Sequence, residues 1–416
     1  MLFPRNNFGF MCLVPLLWGA VSSAHNETRP ISNELFNSLE ELSRLVDISY
    51  CVGTTGVQKP FQCLSHCSEF PNLELITAWS TGVLLSDNCG YIALSHEPGE
   101  KRIIIAFRGT YSITNTIIDL SAYPQSYVPY PGNDSDRESK TQPEKHCTNC
   151  TVHAGFLKSW TNTRETVLPR IASALEKYPN YEVTLVGHSL GGAVAALAGL
   201  EMQLKGWNPT VTTFGEPMVG NADFASFLNE QFELETGRKS RQSTNSYSYK
   251  LKERKYRRVT HINDPVPLLP LREWGYAPHA GEIFISRAEL SPAVRDVRLC
   301  IGNEDPGCIA GAESPERELL DMYQDINIPL DTMENPVEPC YESPEMISHP
   351  NAEQQVVIGA RSSPRCKPKE ATSGLYPRNW DWSFIPGRYR LWELFYAHRD
   401  YFWRIGLCVP GGDPTG

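Results

Sequence analysis

The segment Gly187-His188-Ser189-Leu190-Gly191-Gly192 sets a serine between glycines. The β-like run Tyr181-Glu182-Val183-Thr184-Leu185-Val186 precedes it, and the small-residue helical run Ala193-Val194-Ala195-Ala196-Leu197-Ala198 follows. This is the context of a nucleophile elbow, a sharp strand-to-helix turn where side chains at positions 187 and 191 would clash. The helix start behind the serine offers backbone N–H groups and a positive dipole end to a developing oxyanion. A serine hydroxyl is a poor nucleophile alone, so acyl transfer here requires a base and an acid to orient it. A glycine-rich β–α connection with a capping serine is the alternative that the motif alone leaves standing.

In sites built on such an elbow, the acid and then the base follow the serine along the chain. Asp264, in His261-Ile262-Asn263-Asp264-Pro265-Val266-Pro267, lies just past a predicted strand and before two prolines that stiffen the loop; a turn-initiating Asn-Asp-Pro is its other reading. His279, His349 and His398 are the candidate bases. His398 lies in Phe395-Tyr396-Ala397-His398-Arg399-Asp400-Tyr401-Phe402, whose aromatic walls would keep an imidazole dry and near neutral. Position alone favours it only modestly over His279. Arg108-Gly109-Thr110 follows the apolar run Ile103-Ile104-Ile105-Ala106-Phe107, where the second oxyanion donor is expected. Thr110 would give a backbone N–H and its hydroxyl there, and Leu190 the other N–H; a plain tight turn is the alternative.

The next segment, Ser112 to Leu120, places Ile113, Ile117 and Leu120 on one helical face with Ile118 beside them, and Ser112 can cap its start. Burying four aliphatic side chains is worth at most about 6–12 kcal/mol. That suffices to hold a small helix over a site or on a lipid surface; a helix packed into the core is the bland alternative.

The elements that must position these residues alternate. A helix is predicted within 30–50 from Leu35, Leu39, Leu42 and Leu45, a strand hairpin over 91–107, and a helix from Trp160 to Tyr178. Beyond the elbow come a strand at Thr210–Phe214, a helix at Ala222–Phe232, and strands at Tyr256–Ile262 and Glu282–Ser286. The pattern predicts an α/β fold with helices on both faces of the sheet. Two stretches break the rhythm: a polar, basic loop over 236–255, and a proline-rich, acidic insertion over 311–386. The loop reads as a solvated connection, with an anionic-interface patch or a dibasic processing site as the sharper alternatives.

The chain's bounds agree. Arg5, the apolar stretch Phe8 to Ala20 and Ser22-Ser23-Ala24 read as a signal peptide over residues 1–24, leaving 25–416 as a single domain. The apolar stretch is short for a membrane span, and no later segment is apolar for long enough to be one. A formal net charge of −10 argues against a nucleic-acid partner. Sequons at Asn26, Asn133 and Asn149 fit a secreted glycoprotein. Cys12 leaves with the signal, and the eleven cysteines that remain of twelve default to disulfides in an exported chain. No Cys/His cluster has convincing zinc spacing, so neither metal nor cofactor is expected.

Together these residues resemble the fungal secreted class 3 lipases, the family of filamentous-fungus triacylglycerol lipases and their feruloyl esterase relatives. The resemblance covers most of residues 45–310 and again 391–408. It rests on Ser49-Tyr50-Cys51, Ala78-Trp79-Ser80-Thr81, Phe107-Arg108-Gly109-Thr110, Val152-His153-Ala154-Gly155-Phe156, the elbow, Gly215-Glu216-Pro217-Met218-Val219-Gly220-Asn221, the Asp264 loop and Ala397-His398. It implies an α/β-hydrolase fold with a central, mostly parallel sheet, flanking helices, a helical lid and an insertion in the C-terminal half. It further implies Ser189, Asp264 and His398 as the triad, Thr110 with Leu190 as the oxyanion hole, and His279 as a structural position. Residues 112–120, with Ile113, Ile117, Ile118 and Leu120, match the hinged lid, and Asp119 matches the acid that steadies the oxyanion hydroxyl when the lid opens. For the cysteines it implies Cys51–Cys408, Cys63–Cys67, Cys147–Cys150 and Cys300–Cys308; Cys340–Cys366 would then staple the insertion and leave Cys89 odd.

The expected activity is that of an extracellular lipase hydrolysing acylglycerol esters at a lipid–water interface. A phospholipase A1 and a feruloyl or other soluble-ester esterase are its rivals among enzymes; a catalytically silent surface-binding protein is the rival outside them. The lid carries Thr116 where many relatives have tryptophan, and neither the 236–255 loop nor the 311–386 insertion has a counterpart in compact members. The insertion runs into Trp380, Trp382, Phe384, Trp392 and Phe395, which either pack over the surface or reshape the acyl site.

Overall fold

Ser32 opens the first helix, α1 (Asn33–Ile48), its hydroxyl accepting the Leu35 N–H at 3.1 Å, an N-cap that satisfies one orphan donor. Leu35, Leu39, Leu42 and Leu45 are buried along it, the apolar stripe that helical spacing demands. The computed structural model describes residues 29–81, 88–110, 124–127, 147–234, 254–311 and 396–409. Outside these lie the leader, Asn26, Asn133, His349, Cys340, Cys366, the lid residues Ile113, Ile117, Ile118, Asp119 and Leu120, most of the 236–255 loop and nearly all of the 311–386 insertion.

After α1 come β1 (Leu73–Ser80), β2 (Cys89–Ser95), β3 (Arg102–Phe107), β4 (Pro124–Ser126), β5 (Thr151–His153), α2 (Ala154–Lys177) and β6 (Glu182–His188). Then follow α3 (Leu190–Leu204), β7 (Thr210–Phe214), α4 (Ala222–Gln231), β8 (Tyr256–His261), β9 (Glu282–Ile285) and β10 (Val297–Leu299). Eight strands form one sheet in the order β1-β2-β3-β6-β7-β8-β9-β10. Its centre, β3 through β9, is parallel, while β1, β2 and β10 pair antiparallel at the edges. β4 and β5 make a separate ribbon. This is the α/β-hydrolase arrangement expected.

The all-apolar run in β3 reflects burial on both faces, as in central parallel strands generally. Ile103, Ile105 and Phe107 enter a core with Trp160, Val167 and Ile171 of α2 and the apolar side of α3. Ile104 and Ala106 enter a second core with Leu39, Leu42 and Val46 of α1. The period of two thus divides one strand between two layers. The same alternation puts Val186 of β6 on the α1 side and Leu185 on the α2–α3 side.

Two elements depart from expectation. α2 begins at Ala154, before the predicted Trp160, because the His153 ring caps it: Nδ1 accepts the Phe156 N–H at 3.4 Å. Histidine is not among the usual cap residues that mark a helix start. The sequence reading assigned no strand to 73–80, yet β1 forms there. A register shift between Leu75 and Thr77 breaks the period-two pattern by which such a strand is recognised.

Disulfides join Cys51–Cys408, Cys63–Cys67, Cys147–Cys150 and Cys300–Cys308, and Cys89 is buried and free. Cys51–Cys408 spans 357 residues and ties the end of α1 to the segment carrying His398. A loop of that length restricts the unfolded chain by about 6 kcal/mol in the chain-entropy view.

Candidate active site

In-register pairing of Phe107 with Gly187 and of His188 with Phe214 brings the carboxyl ends of β3, β6 and β7 together. Crevices at that end of a parallel sheet are where α/β folds place their sites. Ser189 stands between β6 and α3 at φ 58° and ψ −129°, a costly conformation for a residue with a Cβ. Its N–H donates to Phe214 O at 3.0 Å. A Cβ at Gly187 would fall 2.2 Å from the Gly191 carbonyl oxygen, and one at Gly191 2.3 Å from that of Phe107. Both glycines are therefore dictated by backbone approach. In the first turn of α3 the Gly192 and Ala193 N–H groups donate to Ser189 O at 2.8 and 3.3 Å, and those of Leu190 and Gly191 precede the first intrahelical bond.

Asp264 lies three residues past β8. Its N–H donates to His261 O at 3.0 Å, and its Oδ1 accepts the Val266 N–H at 2.9 Å. His398 Nδ1 stands 2.9 Å from Asp264 Oδ1 and 3.0 Å from Oδ2, and the Tyr401 hydroxyl donates to Oδ2. The carboxylate thus collects three donors. Ser189, Asp264 and His398 are each at most 2% exposed. Among the described residues neither Ser189 Oγ nor His398 Nε2 has a hydrogen-bond partner. With its proton held on Nδ1 by Asp264, the imidazole presents a lone pair at Nε2. Gly215, just after β7 at φ +59°, clears the space: a Cβ there would fall 2.9 Å from both Asp264 Oδ2 and His398 Cε1.

The 108–110 turn packs directly on the elbow. A Cβ at Gly109 would lie 2.6 Å from His188 O and 2.8 Å from Ser189 Cβ. The turn is pinned by the Arg108 N–H to Cys89 O at 2.8 Å, Arg108 Nη1 to Val52 O at 2.8 Å, and Asn88 Nδ2 to Arg108 O at 3.2 Å. Thr110 and Leu190 are both half-buried. His279 is engaged elsewhere, 2.8 Å from Glu216 Oε1. Asn149 is exposed in the turn closed by Cys147–Cys150.

Four residues around the site escaped the sequence reading of roles: Tyr50, Asn88, His188 and Tyr401. Two carried a signal, since His188 sits within the elbow and Tyr401 follows His398 by three residues. His188 lies on the α1 side, 2.6 Å by Nδ1 from the Tyr50 hydroxyl and 2.7 Å by Nε2 from His398 O. Burial, then the neighbouring His398 and Arg399 charges, hold its pKa well below the ordinary 6.5. Burial also lowers that of His261.

A histidine kept neutral in the fold but free to protonate when unfolded costs stability as pH falls below its unfolded pKa. The loss ends only below the folded value, and each such group contributes up to about 1.4 kcal/mol per pH unit. Urea unfolding between pH 7.5 and 5 should therefore show a steeper acid-side loss in the wild type than in His261→Gln. Equal slopes would remove His261 from the account.

Among the described residues no helix is long and apolar enough to cross a membrane, and no group of three or more His, Cys, Asp or Glu is set to hold a metal. The model of the Lipase (class 3) family matches residues 104–274. The chain is 48% identical over 409 residues to Lipase A of Sodiomyces alcalophilus, covering 94% of this chain and 86% of that one. It is 47% identical over 400 residues to the secreted mono- and diacylglycerol lipase 2 of Gibberella zeae, covering 92% and 85%. A crystal structure of a Yarrowia lipolytica lipase aligns with a TM-score of 0.58 at 34% identity, covering 69% of this chain and 92% of that one. In fold, and in sequence over nearly its whole length, the chain belongs to the class 3 lipase family.

Proposed function

We propose that this secreted enzyme hydrolyses acylglycerol esters at a lipid–water interface, with Ser189 as nucleophile, His398 as base and Asp264 as orienting acid. The observation that carries the reading is the buried Asp264–His398 pair; among the described residues its Nε2 has no hydrogen-bond partner, and neither has the buried Ser189 Oγ of the elbow. The substrate class is supported by a relative named as a mono- and diacylglycerol lipase. Ser189 Oγ attacks the ester carbonyl carbon while Nε2 takes its proton, and Asp264 stabilises the imidazolium. The N–H groups of Thr110 and Leu190 bind the tetrahedral oxyanion. Collapse expels the alcohol, which takes the proton from Nε2. Water then attacks the acyl-enzyme with His398 again as base, and the fatty acid leaves. On this reading residues 112–120, which lie outside the described residues, are the lid, and Asp119 is the acid that the family resemblance assigns to the oxyanion hydroxyl. Residues 1–24 are the leader, 25–416 form one catalytic domain, and Asn26, Asn133 and Asn149 accept glycans.

A panel of monoolein, diolein, triolein, tributyrin, phosphatidylcholine and methyl ferulate, assayed on purified protein, tests the reading. Acylglycerols should be turned over fastest, with a jump in rate once tributyrin exceeds its solubility limit. Faster cleavage of phosphatidylcholine or methyl ferulate would overturn the substrate assignment. A simple hyperbola across the solubility limit would remove the interfacial lid.

A further inference from the structure

His188 is 2% exposed and lies beside Ser189 in the chain, yet its two ring nitrogens point away from the serine hydroxyl's task. Nε2 lies 2.7 Å from the backbone oxygen of His398. A carbonyl oxygen only accepts, so Nε2 carries the proton. Nδ1 of a neutral ring is then a bare acceptor, and the Tyr50 hydroxyl 2.6 Å away must donate to it. The result is a directed chain: Tyr50 O–H to His188 Nδ1, and His188 Nε2–H to the His398 carbonyl. We infer that Tyr50, acting through His188, is a positioning residue for His398: its hydroxyl holds by Nδ1 the ring whose Nε2–H clamps the backbone of the base.

Three further observations support this. Neutrality of His188 follows from its setting, because burial, the His398 ring at a centroid distance of 4.6 Å and the nearby Arg399 all disfavour a charge. Tyr50 is itself held fast. It directly precedes Cys51 of the Cys51–Cys408 disulfide, and the Arg399 guanidinium lies 5.9 Å from its ring centroid while donating to Gly406 O at 2.6 Å. The segment 398–399 is therefore gripped from β6 through His188 and from the end of α1 through Tyr50. Finally, a Cβ at Gly109 would fall 2.6 Å from the Tyr50 hydroxyl. The same oxygen backs the oxyanion turn, the elbow and the base.

Its consequence is specific. If Nδ1 loses its donor, the ring keeps its proton on Nε2, which the His398 carbonyl requires, but Nδ1 becomes a buried acceptor with its partner removed. A ring anchored at one nitrogen only can shift, and the His398 backbone bonded to the other nitrogen shifts with it, while the acyl-binding surfaces stay as they were.

The proposal rests on His398 being the base, and the experiment separates the two. Full-length Tyr50→Phe, which keeps the ring, is compared on soluble p-nitrophenyl butyrate with the wild type, with His398→Ala, and with Tyr91→Phe. The last removes another buried hydroxyl, bonded to Leu45 O at 2.8 Å. Tyr50→Phe should lower kcat by about 10- to 100-fold, the scale of a misplacement near 1 Å, with KM within about twofold. Tyr91→Phe should leave kcat unchanged. In 1H–15N spectra of the imidazoles, assigned by the signal lost in His188→Gln, wild-type His188 should be a single Nε2–H tautomer with the Nδ1 shift of a hydrogen-bonded acceptor, and that shift should move to the value of an unbonded lone pair in Tyr50→Phe. Wild-type kcat in Tyr50→Phe, or an Nδ1–H or doubly protonated His188 in the wild type, would overturn the proposal. The wild-type Nδ1 shift decides even if Tyr50→Phe does not fold, since the shift of an unbonded lone pair there would also overturn the proposal. Activity surviving in His398→Ala would instead sink the assignment of the base.

Discussion

Ser189→Ala is expected to lower kcat on every ester by about 10⁶-fold while the protein stays folded. The substitution deletes the only atom proposed to form a covalent bond to the acyl group. What remains, the oxyanion donors and substrate binding, retains about 10³–10⁴-fold over water. The backbone tolerates the change, since alanine at φ 58° is no more strained than serine. Because Ser189 Oγ is buried with no partner among the described residues, removing it relieves an unsatisfied polar group, a gain of about 1 kcal/mol or more. Thermal melting of the variant should therefore match or exceed that of the wild type. Substantial activity in a correctly folded Ser189→Ala would remove the nucleophile assignment and, with it, the chemistry built on the elbow.

Asp264→Asn should cost about 10⁴-fold in kcat with KM little changed. The carboxylate now accepts from His398 Nδ1, the Tyr401 hydroxyl and the Val266 N–H. An asparagine fits the same space but presents an NH2 on one side. His398 Nδ1 stands 2.9 and 3.0 Å from the two carboxylate oxygens, so an amide that keeps its oxygen at the Oδ1 position for the Val266 N–H sets its NH2 at the Oδ2 position, against Nδ1. The imidazole then favours a bare Nδ1 and a protonated Nε2, which cannot take the serine proton. The Val266 N–H needs one acceptor, which the amide oxygen still supplies, so the loop should hold. Measuring kcat on a soluble ester together with the melting temperature tests this, and a loss below about tenfold would place the orienting acid elsewhere.

The Ser189 elbow and the β3 run were legible because the information is local. A strand, two glycines compelled by close approach and a helix occupy consecutive residues, and the apolar Ile103–Phe107 run announces a strand buried on both faces. Legibility failed where a partner lies far along the chain or where a local rule is broken. β1 hid behind its register shift, and α2 behind an unusual histidine cap.

The choice of base shows the boundary most clearly. Position alone favoured His398 only modestly over His279, and the family resemblance made the choice. In the structure His398 meets Asp264 across 134 residues and His279 meets Glu216 across 63. The Tyr50–His188 contact spans 138 residues and had no counterpart in any motif spacing. By itself, then, the sequence determined that a serine sits on a strained strand–helix turn at the carboxyl end of a parallel sheet. That His398 meets Asp264, His279 meets Glu216 and Tyr50 meets His188 was decided by the tertiary structure. Local sterics act between neighbours in the chain, but long loops come together only when the sheet register and the Cys51–Cys408 tie bring their ends to one place.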